Sequence, residues 1–377
     1  MIKVAVIGAG AISPRHLEAY LRFSARCRIV AVVDIFPEKA AAAVQRYGLD
    51  AVVAKNYLDV VGDADLVSIC TPPSTHAEIA IGSLQAGANV LVEKPMSASL
   101  AECDAMLEAA KASGKLLSVV AQNRFRTPMM RLKQTLDAGV AGRVLHAQID
   151  SYWWRGNSYY DLWWRGTWQS EGGGCTLNHA VHHLDALVWM MGLPVELQAM
   201  MGNVAHTKAE VEDCSIATMR FADGALGQAT SSVVHHGEEQ QLVFQAERAR
   251  VSMPWRVYAS SERSNGFPER DLAAEAEISA FYESLPELAC EGHDAQIDDV
   301  LSALEGRSQL LIDGRQGRNA LELITAIYAS AVSQSRITLP IASASPFYTT
   351  EGLLSQAPRF HEKSVSVTGF STNEITT

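Results

Sequence analysis

The chain of 377 residues lacks several features that would point to particular classes of protein. Its six cysteines are scattered, with no Cys-x-x-Cys pair and no clustering with histidine, which argues against a zinc site and favours a reducing compartment. No apolar stretch reaches the ~20 residues of a membrane-spanning helix, and the first residues, MIKVAVI, contain no basic leader. These absences predict a soluble, cytoplasmic protein.

A surplus of basic residues is also missing. The chain has 31 Lys and Arg against 42 Asp and Glu, a formal charge of −11. Nucleic-acid surfaces and polybasic membrane contacts need concentrated positive charge, so neither partner is expected. Apolar residues make up 48% of the chain and charged residues 19%, a composition typical of globular proteins, and the length suffices for two domains with separate cores.

The first third of the chain alternates short β-branched runs with helical patterns. Strands are predicted over 2–7, 28–34, 66–70, 89–92 and 116–121, and helices over 14–23, 37–47, 74–85 and 99–113. Strand–helix alternation of this kind predicts a mostly parallel sheet covered on both faces.

The pattern changes near residue 122. A helix is predicted over 128–138, alternating strands over 143–153, 215–221, 225–234, 241–245 and 250–253, and helical structure over 294–333. Half-apolar strands with short connections indicate a large, mostly antiparallel sheet with one face covered by helices. The tail after about residue 340 is rich in Ser, Thr and Pro, and two interpretations remain open: a loose arm or an extension that clasps another subunit.

A glycine-rich turn, Gly8–Gly10, follows the first predicted strand and precedes a helix. Two glycines there permit a sharp turn and the close approach of a pyrophosphate. The backbone N–H groups at the start of the helix, including those of Ala11 and Ile12, would then face the phosphates. The third glycine of the usual pattern is replaced by Ser13, which is expected only to loosen helix–strand packing slightly.

An acidic residue, Asp34, ends the second predicted strand. A carboxylate at this place accepts hydrogen bonds from the hydroxyls of an adenosine ribose. No Arg or Lys follows directly, so no neighbouring cation would bind the 2′-phosphate of NADP. NAD is therefore favoured over NADP. The alternative is a Rossmann-like domain that binds a mononucleotide or nothing.

A lysine between an acidic residue and a proline, in Glu93-Lys94-Pro95, ends another parallel strand. Open α/β sheets bind their ligands at this edge. A partly desolvated lysine there can hold a substrate hydroxyl and lower its pKa or relay its proton. The alternative is an exposed loop lysine, but Pro95 fixes the backbone and makes a cis peptide possible, which favours a functional role.

A second polar group follows the glycines of Gly172–Gly174. If a helix begins near residue 176, Asn178, His182 and Asp185 share one of its faces. His182 would then be a proton acceptor near neutral pH, oriented by Asp185. The alternative, a hydrogen-bonded core histidine, is our interpretation of two neighbours on other faces, His179 and His183.

Residues 159–168, YYDLWWRGTW, combine aromatic rings with polar donors and are here called the aromatic wall. Rings suit the apolar face of a sugar, and Arg165 can bind vicinal oxygens or a carboxylate in a fork. Trp163 belongs to this wall, and Tyr152, Trp153 and Trp154 are predicted to extend it, although several tryptophans of the region have core or interface packing as the alternative. Gln122 and Arg124 fall near the junction of the domains, where contact with nicotinamide and substrate, or simple packing, is possible.

Taken together, these residues resemble the Gfo/Idh/MocA family, named for glucose–fructose oxidoreductase and inositol dehydrogenase. The spacing of the Thr-Pro-Pro-x-x-His loop and Glu-Lys-Pro is specific. The resemblance covers nearly the whole chain through Gly8–Gly10 with Arg15-His16, Asp34, Thr71-Pro72-Pro73-x-x-His76, Glu93-Lys94-Pro95, residues 172–185, and Asp313-Gly314-x-x-Gly317-Arg318-x-Ala320-Leu321-Glu322.

The resemblance implies a catalytic pair, Lys94 and His182, that serves hydride transfer to or from nicotinamide C4 without a metal. Inositol dehydrogenases of the family carry Asp where this chain has Asn178. Because Asn cannot accept a proton, this residue is expected to orient a substrate that is a sugar rather than inositol. The resemblance also places four further residues around the cofactor, namely Thr71, Pro72, His76 and Glu93.

The expected fold class is α/β. A Rossmann dinucleotide-binding domain is predicted over 1–122, an α+β substrate and oligomerisation domain over 123–340, and a tail or arm over 341–377. The expected function is NAD-dependent hydride transfer at a secondary hydroxyl or carbonyl of a sugar, sugar derivative or cyclitol, by a homodimer or homotetramer joined through the C-terminal sheet. The alternatives are glycoside cleavage by transient oxidation with tightly bound NAD, dehydrogenation of a non-sugar diol, and a non-catalytic dinucleotide sensor.

Overall fold

A computed structural model describes residues 1–367 of the chain. The chain forms two compact units, each assembled from two separate segments. Unit 1 comprises Met1–Val140 and Arg270–Leu321, and unit 2 comprises Ala141–Glu269 and the chain from Glu322 onward.

Unit 1 is built on a six-stranded sheet in the order β3-β2-β1-β4-β5-β6, with every pair of neighbouring strands parallel. This order is the one expected of a doubly wound dinucleotide-binding fold. Its strands are β1 (Ile2–Ile7), β2 (Cys27–Val33), β3 (Val52–Ala54), β4 (Leu66–Ile69), β5 (Asn89–Val92) and β6 (Leu117–Val119). Its helices are α1 (Ser13–Arg22), α2 (Pro37–Tyr47), α3 (His76–Gln85), α4 (Leu100–Ser113), α5 (Thr127–Asp137), α9 (Leu272–Ser284), α10 (Gly292–Leu304) and the start of α11 (Gly314–Ser333).

The core of unit 1 includes residues from the late segment of the chain. Val4 and Val6 of β1 are fully buried and belong to one apolar cluster with Leu17 of α1. Ile297 and Leu301 of α10 belong to the same cluster. This late segment gives unit 1 boundaries that differ from the predicted domain of 1–122, because α10 buries its apolar stripe in the core of the parallel sheet.

Unit 2 is built on a nine-stranded sheet in the order β14-β13-β12-β11-β7-β10-β9-β8-β15. The pair β7–β10 is parallel, and β8–β9, β9–β10, β7–β11, β11–β12, β12–β13 and β8–β15 are antiparallel. Its strands are β7 (Val144–Tyr152), β8 (Glu196–Gly202), β9 (Cys214–Arg220), β10 (Leu226–Ser232), β11 (Gln240–Ala246), β12 (Ala249–Met253), β13 (Arg256–Glu262), β14 (Pro268–Arg270) and β15 (Ile337–Thr338). Its helices are α6 (Trp168–Glu171), α7 (Cys175–Asn178), α8 (Val181–Met191), the end of α11, and α12 (Thr350–Gln356).

Two helical predictions need correction. The stretch 294–333 is not continuous, because residues 305–313 separate α10 from α11. The helix expected from about residue 176 is also divided, since the N–H groups of His179 and Ala180 both bond to the carbonyl of Cys175, at 3.0 and 2.9 Å. This widened turn ends α7 at Asn178 and places His182 on a new helix, α8.

The beginning of the predicted tail is folded. Phe347 and Leu353 pack with Ala329 of α11 in a small apolar cluster, and α12 lies within the segment. Residues 368–377 of the predicted tail lie outside the described residues. Within residues 1–367, every helix is too short or too polar to cross a membrane.

Candidate active site

The turn after β1 is shaped by two glycines with different surroundings. Gly8 has φ +97°, and a Cβ there would lie 2.8 Å from the backbone carbonyl of Cys70. Only glycine fits this left-handed, crowded position. A Cβ on the exposed Gly10 would meet nothing within 4 Å, so open space is left beside the turn, where Ala11 is also exposed and Ile12 half-buried.

Asp34 holds this turn in place. Its Oδ2 accepts a hydrogen bond from the Ala9 N–H at 2.8 Å, and its Oδ1 accepts one from the Phe36 N–H at 2.9 Å. Each oxygen retains a lone pair, so the half-buried carboxylate can still accept a hydroxyl. Ser13, in the place of the third glycine, is buried and donates its hydroxyl to the Gly10 carbonyl at 2.8 Å.

His76 joins two loops at the carboxyl edge of the same sheet. Its ring is fully buried, with Nδ1 2.9 Å from the Pro95 carbonyl oxygen and Nε2 2.8 Å from that of Thr71. Burial lowers the pKa of His76, against the opposing effect of these two carbonyls. The side chain therefore braces the loop of Thr71 and the exposed Pro72 from its buried side.

Lys94 is half-buried immediately after β5, and its peptide bond to Pro95 is cis. The Lys94 N–H lies 3.1 Å from Oε2 of Glu93, while Oε1 of Glu93 lies 2.9 Å from Nε2 of His16 and 3.6 Å from Nε2 of His293. Burial alone would raise the pKa of Glu93, but the hydrogen bond with His16 and the nearby ring of His293 hold it well below its usual range. The buried Glu93 carboxylate thus fixes the backbone at the start of the turn Glu93-Lys94-Pro95, here called the lysine turn.

The residues after β6 divide into two kinds. Gln122 is half-buried, and its Oε1 has no hydrogen-bond partner among the described residues. An orphaned buried acceptor costs free energy unless a ligand or water satisfies it. Arg124 is only 1% exposed and donates to Gln316 of α11, which favours the packing interpretation of this arginine over a substrate contact.

In unit 2, the glycine loop before α7 packs against a buried carboxylate, Glu212. Its Oε2 accepts the Gly174 N–H at 2.9 Å, and its Oε1 accepts the Thr176 N–H and the Tyr328 hydroxyl, both at 3.0 Å. A Cβ at Gly174 would collide with the backbone of Glu212, and one at Gly173 with the Tyr328 hydroxyl. The glycines therefore allow close packing, and the space beside them is filled by protein. Burial raises the pKa of Glu212 to about 7, against the opposing hydrogen bonds.

The residues after this loop are ordered by it. Asn178 donates its amide to the carbonyls of Gly173 and Gly174, at 2.8 and 3.2 Å, which ties its side chain to the glycine loop. His182 is half-buried at the second position of α8, and Asp185 is buried one turn later. His183 lies 2.9 Å from the Ser151 hydroxyl, and burial lowers its pKa to about 4, as a neutral core histidine requires.

The predicted aromatic wall contains a cation enclosed between rings. The guanidinium of Arg165 lies 4.1 Å from the ring centroids of both Tyr159 and Trp164, and it donates to Glu171 at 2.9 Å. Its Nε is buried and has no hydrogen-bond partner among the described residues. Stacking and the ion pair give Arg165 a fixed orientation.

Two other predicted wall residues differ in placement. Trp163 is 53% exposed, so its ring is accessible. Tyr152 stacks on His235 with ring centroids 4.1 Å apart. Side chains alternate along β7, and Ser151 faces α8 through its contact with His183. Tyr152 therefore lies on the opposite face of the sheet from α8, which does not support the predicted contact with substrate.

The two units define a class of protein. A parallel sheet with a glycine turn after β1 and an acidic residue after β2 is a dinucleotide-binding arrangement, and here it accompanies a second unit with a large mixed sheet. Residues 2–121 match the family model described as "Oxidoreductase family, NAD-binding Rossmann fold", and residues 129–252 match the "GFO/IDH/MocA C-terminal domain". The chain belongs to the Gfo/Idh/MocA family of NAD-binding oxidoreductases, which confirms the resemblance and the predicted fold class.

Similar proteins match this chain over 65% to 90% of its length. It is 23% identical over 362 residues to the D-glucoside 3-dehydrogenase of Escherichia coli, covering 90% of this chain and 97% of that protein. It is 26% identical over 279 residues to the levoglucosan dehydrogenase of Pseudarthrobacter phenanthrenivorans, covering 65% and 70%. The crystal structure of the WlbA dehydrogenase from Bordetella pertussis, in complex with NADH and UDP-GlcNAcA, matches with a TM-score of 0.77 and 29% identity, covering 90% of this chain and 98% of that one.

Several residues that shape the site were not predicted. His16 was noted only as part of the family pattern, and His293 and Glu212 were not singled out, although they are bonded to or packed against motif residues. No local pattern marks such residues, because their partners are far away in the sequence.

Proposed function

We propose that this protein is an NAD-dependent dehydrogenase or reductase that transfers a hydride between nicotinamide C4 and a CH–OH or C=O carbon of a sugar or sugar derivative. The observation that carries the proposal is the position of Lys94, half-buried at the carboxyl end of β5. This is the edge of the sheet whose β1–α1 turn is open beside Gly10, and ligands of such sheets bind there.

The residues of unit 1 fit a dinucleotide. Gly10 leaves room for the pyrophosphate near the start of α1, and Asp34 has lone pairs for ribose hydroxyls. The orphaned Oε1 of Gln122 is an acceptor suited to a carboxamide. The loop of Thr71 and Pro72, braced by His76, is proposed to support the cofactor through its backbone. When bound, NAD supplies the acceptor or donor of the hydride.

Proton handling is assigned to Lys94 and His182. The Lys94 ammonium would polarise the reacting oxygen of the substrate and lower the pKa of its hydroxyl. His182 would accept the hydroxyl proton in oxidation and return it in reduction. Asn178, whose side chain is tied to the glycine loop by its amide contacts, would orient the substrate through a hydrogen bond with a neighbouring hydroxyl.

A sugar is the proposed substrate because of the accessible ring of Trp163 and the fixed cation of Arg165. Rings bind the apolar face of a sugar, and a guanidinium binds its oxygens. The names of the relatives, a glucoside dehydrogenase and a levoglucosan dehydrogenase, support the same class. We further propose a cytoplasmic location, supported by the six free cysteines, and a homodimer or homotetramer formed through the sheet of unit 2.

The test is a screen of NAD⁺ reduction with aldoses, anhydrosugars, uronates and inositols, followed by Lys94→Ala and His182→Ala on the best substrate. Each variant is expected to lower kcat by about 10²- to 10⁴-fold, the usual contribution of a positioned acid or base, while NAD affinity measured by fluorescence titration is retained. Lys111→Ala, at an exposed position of α4, serves as the control. Turnover like that of the wild type in either active-site variant would overturn the assignment.

A further inference from the structure

The described end of the chain returns to the aromatic wall of unit 2. Residues 357–367 run beside the segment 160–168, which contains Trp163 and Arg165. The indole N–H of Trp168 donates to the Pro358 carbonyl at 2.7 Å, and the Phe360 N–H donates to the Glu210 carbonyl at 3.1 Å. The first bond joins the two segments directly, and the second joins them through Glu210, whose own N–H donates to the Gly166 carbonyl at 2.7 Å.

Lys363 makes the central contact between these segments. Its Nζ donates to the carbonyl of Tyr160 at 2.6 Å and to that of Leu162 at 2.9 Å. Burial lowers the pKa of Lys363, while the acidic groups of Glu171 and Asp161 oppose the shift. One ammonium group thus binds two backbone carbonyls of the turn, of which that of Leu162 also accepts the Arg165 N–H at 3.0 Å.

A short backbone pairing follows. The N–H of Val367 donates to the Asp161 carbonyl at 2.8 Å, and its carbonyl accepts the N–H of Trp163 at 2.9 Å. On the other side of the same turn, Oε2 of Glu171 accepts the Gly166 N–H at 2.6 Å. The tail therefore holds the backbone on both sides of Leu162, and Glu171 holds the backbone at Gly166.

We propose that residues 357–367 belong to the substrate-binding side of unit 2, and that Lys363 is a positioning residue that orients Trp163 and Arg165 toward the sugar. This inference rests on the proposed function. For the described part of the tail, the inference favours a segment that is bonded to its own unit over the predicted loose arm. Because segment 160–168 contains no long helix or strand, its shape depends on these contacts.

The test compares Lys363→Met with Lys363→Arg, which keeps a cationic donor, and with Lys208→Met. Lys208 lies 3.4 Å from a carboxylate oxygen of Asp161, so it contacts the same turn through side chains alone and is the matched control. Lys363→Met is expected to raise KM for the sugar about tenfold, since ordering a loop at binding opposes affinity, with kcat and the KM for NAD⁺ within about twofold. Lys363→Arg is expected to recover most of the loss, and Lys208→Met to behave like the wild type.

Amide hydrogen exchange provides a readout that does not depend on turnover. In Lys363→Met, the amides of residues 160–166 are expected to exchange at least tenfold faster, with those of β1 unchanged. Unchanged exchange in the turn, or faster exchange with an unchanged KM for the sugar, would overturn the inference. If none of the sugars tested supports NAD⁺ reduction by the wild type, the proposed function fails, and the substrate role of the tail fails with it. The exchange rates still show whether Lys363 orders the turn.

Discussion

A single buried carboxylate, Glu212, connects the glycine loop, α7 and α11. It accepts three hydrogen bonds from these elements, yet burial raises its pKa to about 7. Its neighbours Tyr328 and Cys175 stay neutral over the same pH range, since burial raises the pKa of each well above its ordinary value. Near neutral pH the charge beneath the loop therefore depends on Glu212.

This shift makes stability depend on pH in a defined direction. Between the ordinary pKa of 4.5 and about 7 the folded state binds more protons at Glu212 than the unfolded state, so its stability falls as pH rises through that range. Glu212→Gln removes the ionisation. The free energy of unfolding of the wild type minus that of the variant, measured by urea denaturation, should fall between pH 5 and pH 8 by on the order of 3 kcal/mol. A difference that stays constant with pH would contradict the shifted pKa.

Substitution of the two glycines of the first turn is expected to affect different properties, cofactor affinity for Gly10 and stability for Gly8. Gly10→Ala adds a Cβ with nothing within 4 Å, so we expect an unchanged melting temperature and a KM for NAD⁺ raised at least tenfold, because the methyl occupies space proposed for the pyrophosphate. Gly8→Ala forces a positive φ and a 2.8 Å contact with Cys70, and should destabilise the protein before cofactor is added. Thermal melts without NAD⁺ and titration with NAD⁺ separate the two effects. Equal melting temperatures for both variants would refute this distinction.

At the scale of elements, the parallel sheet is completed by a helix that follows it by more than 170 residues in the chain. Ile297, Val300 and Leu301 of α10 pack with β1 and α1. The helix was predicted, but not its place in unit 1, because an amphipathic pattern shows that a helix has a buried face and not which core receives it.

Substitution of one α10 residue tests this membership. Leu301 is fully buried in the cluster, so Leu301→Ala should lower the free energy of unfolding by about 2 to 5 kcal/mol, the usual cost of removing a core leucine. Leu58→Ala, at a side chain that is 59% exposed, is the control and should change stability by less than about 0.5 kcal/mol. A loss below about 1 kcal/mol for Leu301→Ala would show that α10 contributes little to the core.

At the scale of the whole molecule, the sheet of unit 2 has two faces, one that contacts α8 through Ser151 and one on the opposite side. Residues directly opposite each other on neighbouring strands share a face of the sheet. One such row crosses four strands and consists of Met200, Ile216, Thr230 and Asp150. Since Ser151 faces α8, this row lies on the opposite face. Met200 is 79% exposed and Ile216 is 54% exposed.

We expect this face to join subunits, as the family resemblance implies. Met200→Asp with Ile216→Asp should place charges against their own symmetry mates and reduce the mass measured by light scattering to that of one chain. Leu58→Asp, at an exposed position of unit 1, is the control and should leave the mass unchanged. A wild type that already has the mass of one chain would refute the proposed oligomer, and an unchanged oligomer in the double variant would refute the interface.

The sequence by itself determined the features that depend on neighbours along the chain. Strand–helix alternation, the glycines of the first turn, Asp34 and the lysine turn were readable because each places its chemistry within one strand–turn–helix unit. The membership of α10 in unit 1, the anchoring of Glu93 by His16 and His293, the carboxylate beneath the glycine loop and the return of the tail to residues 160–168 were decided only by the tertiary structure. Those contacts join residues that are distant in the chain, and no periodicity or local spacing records which distant partner a buried polar group will meet.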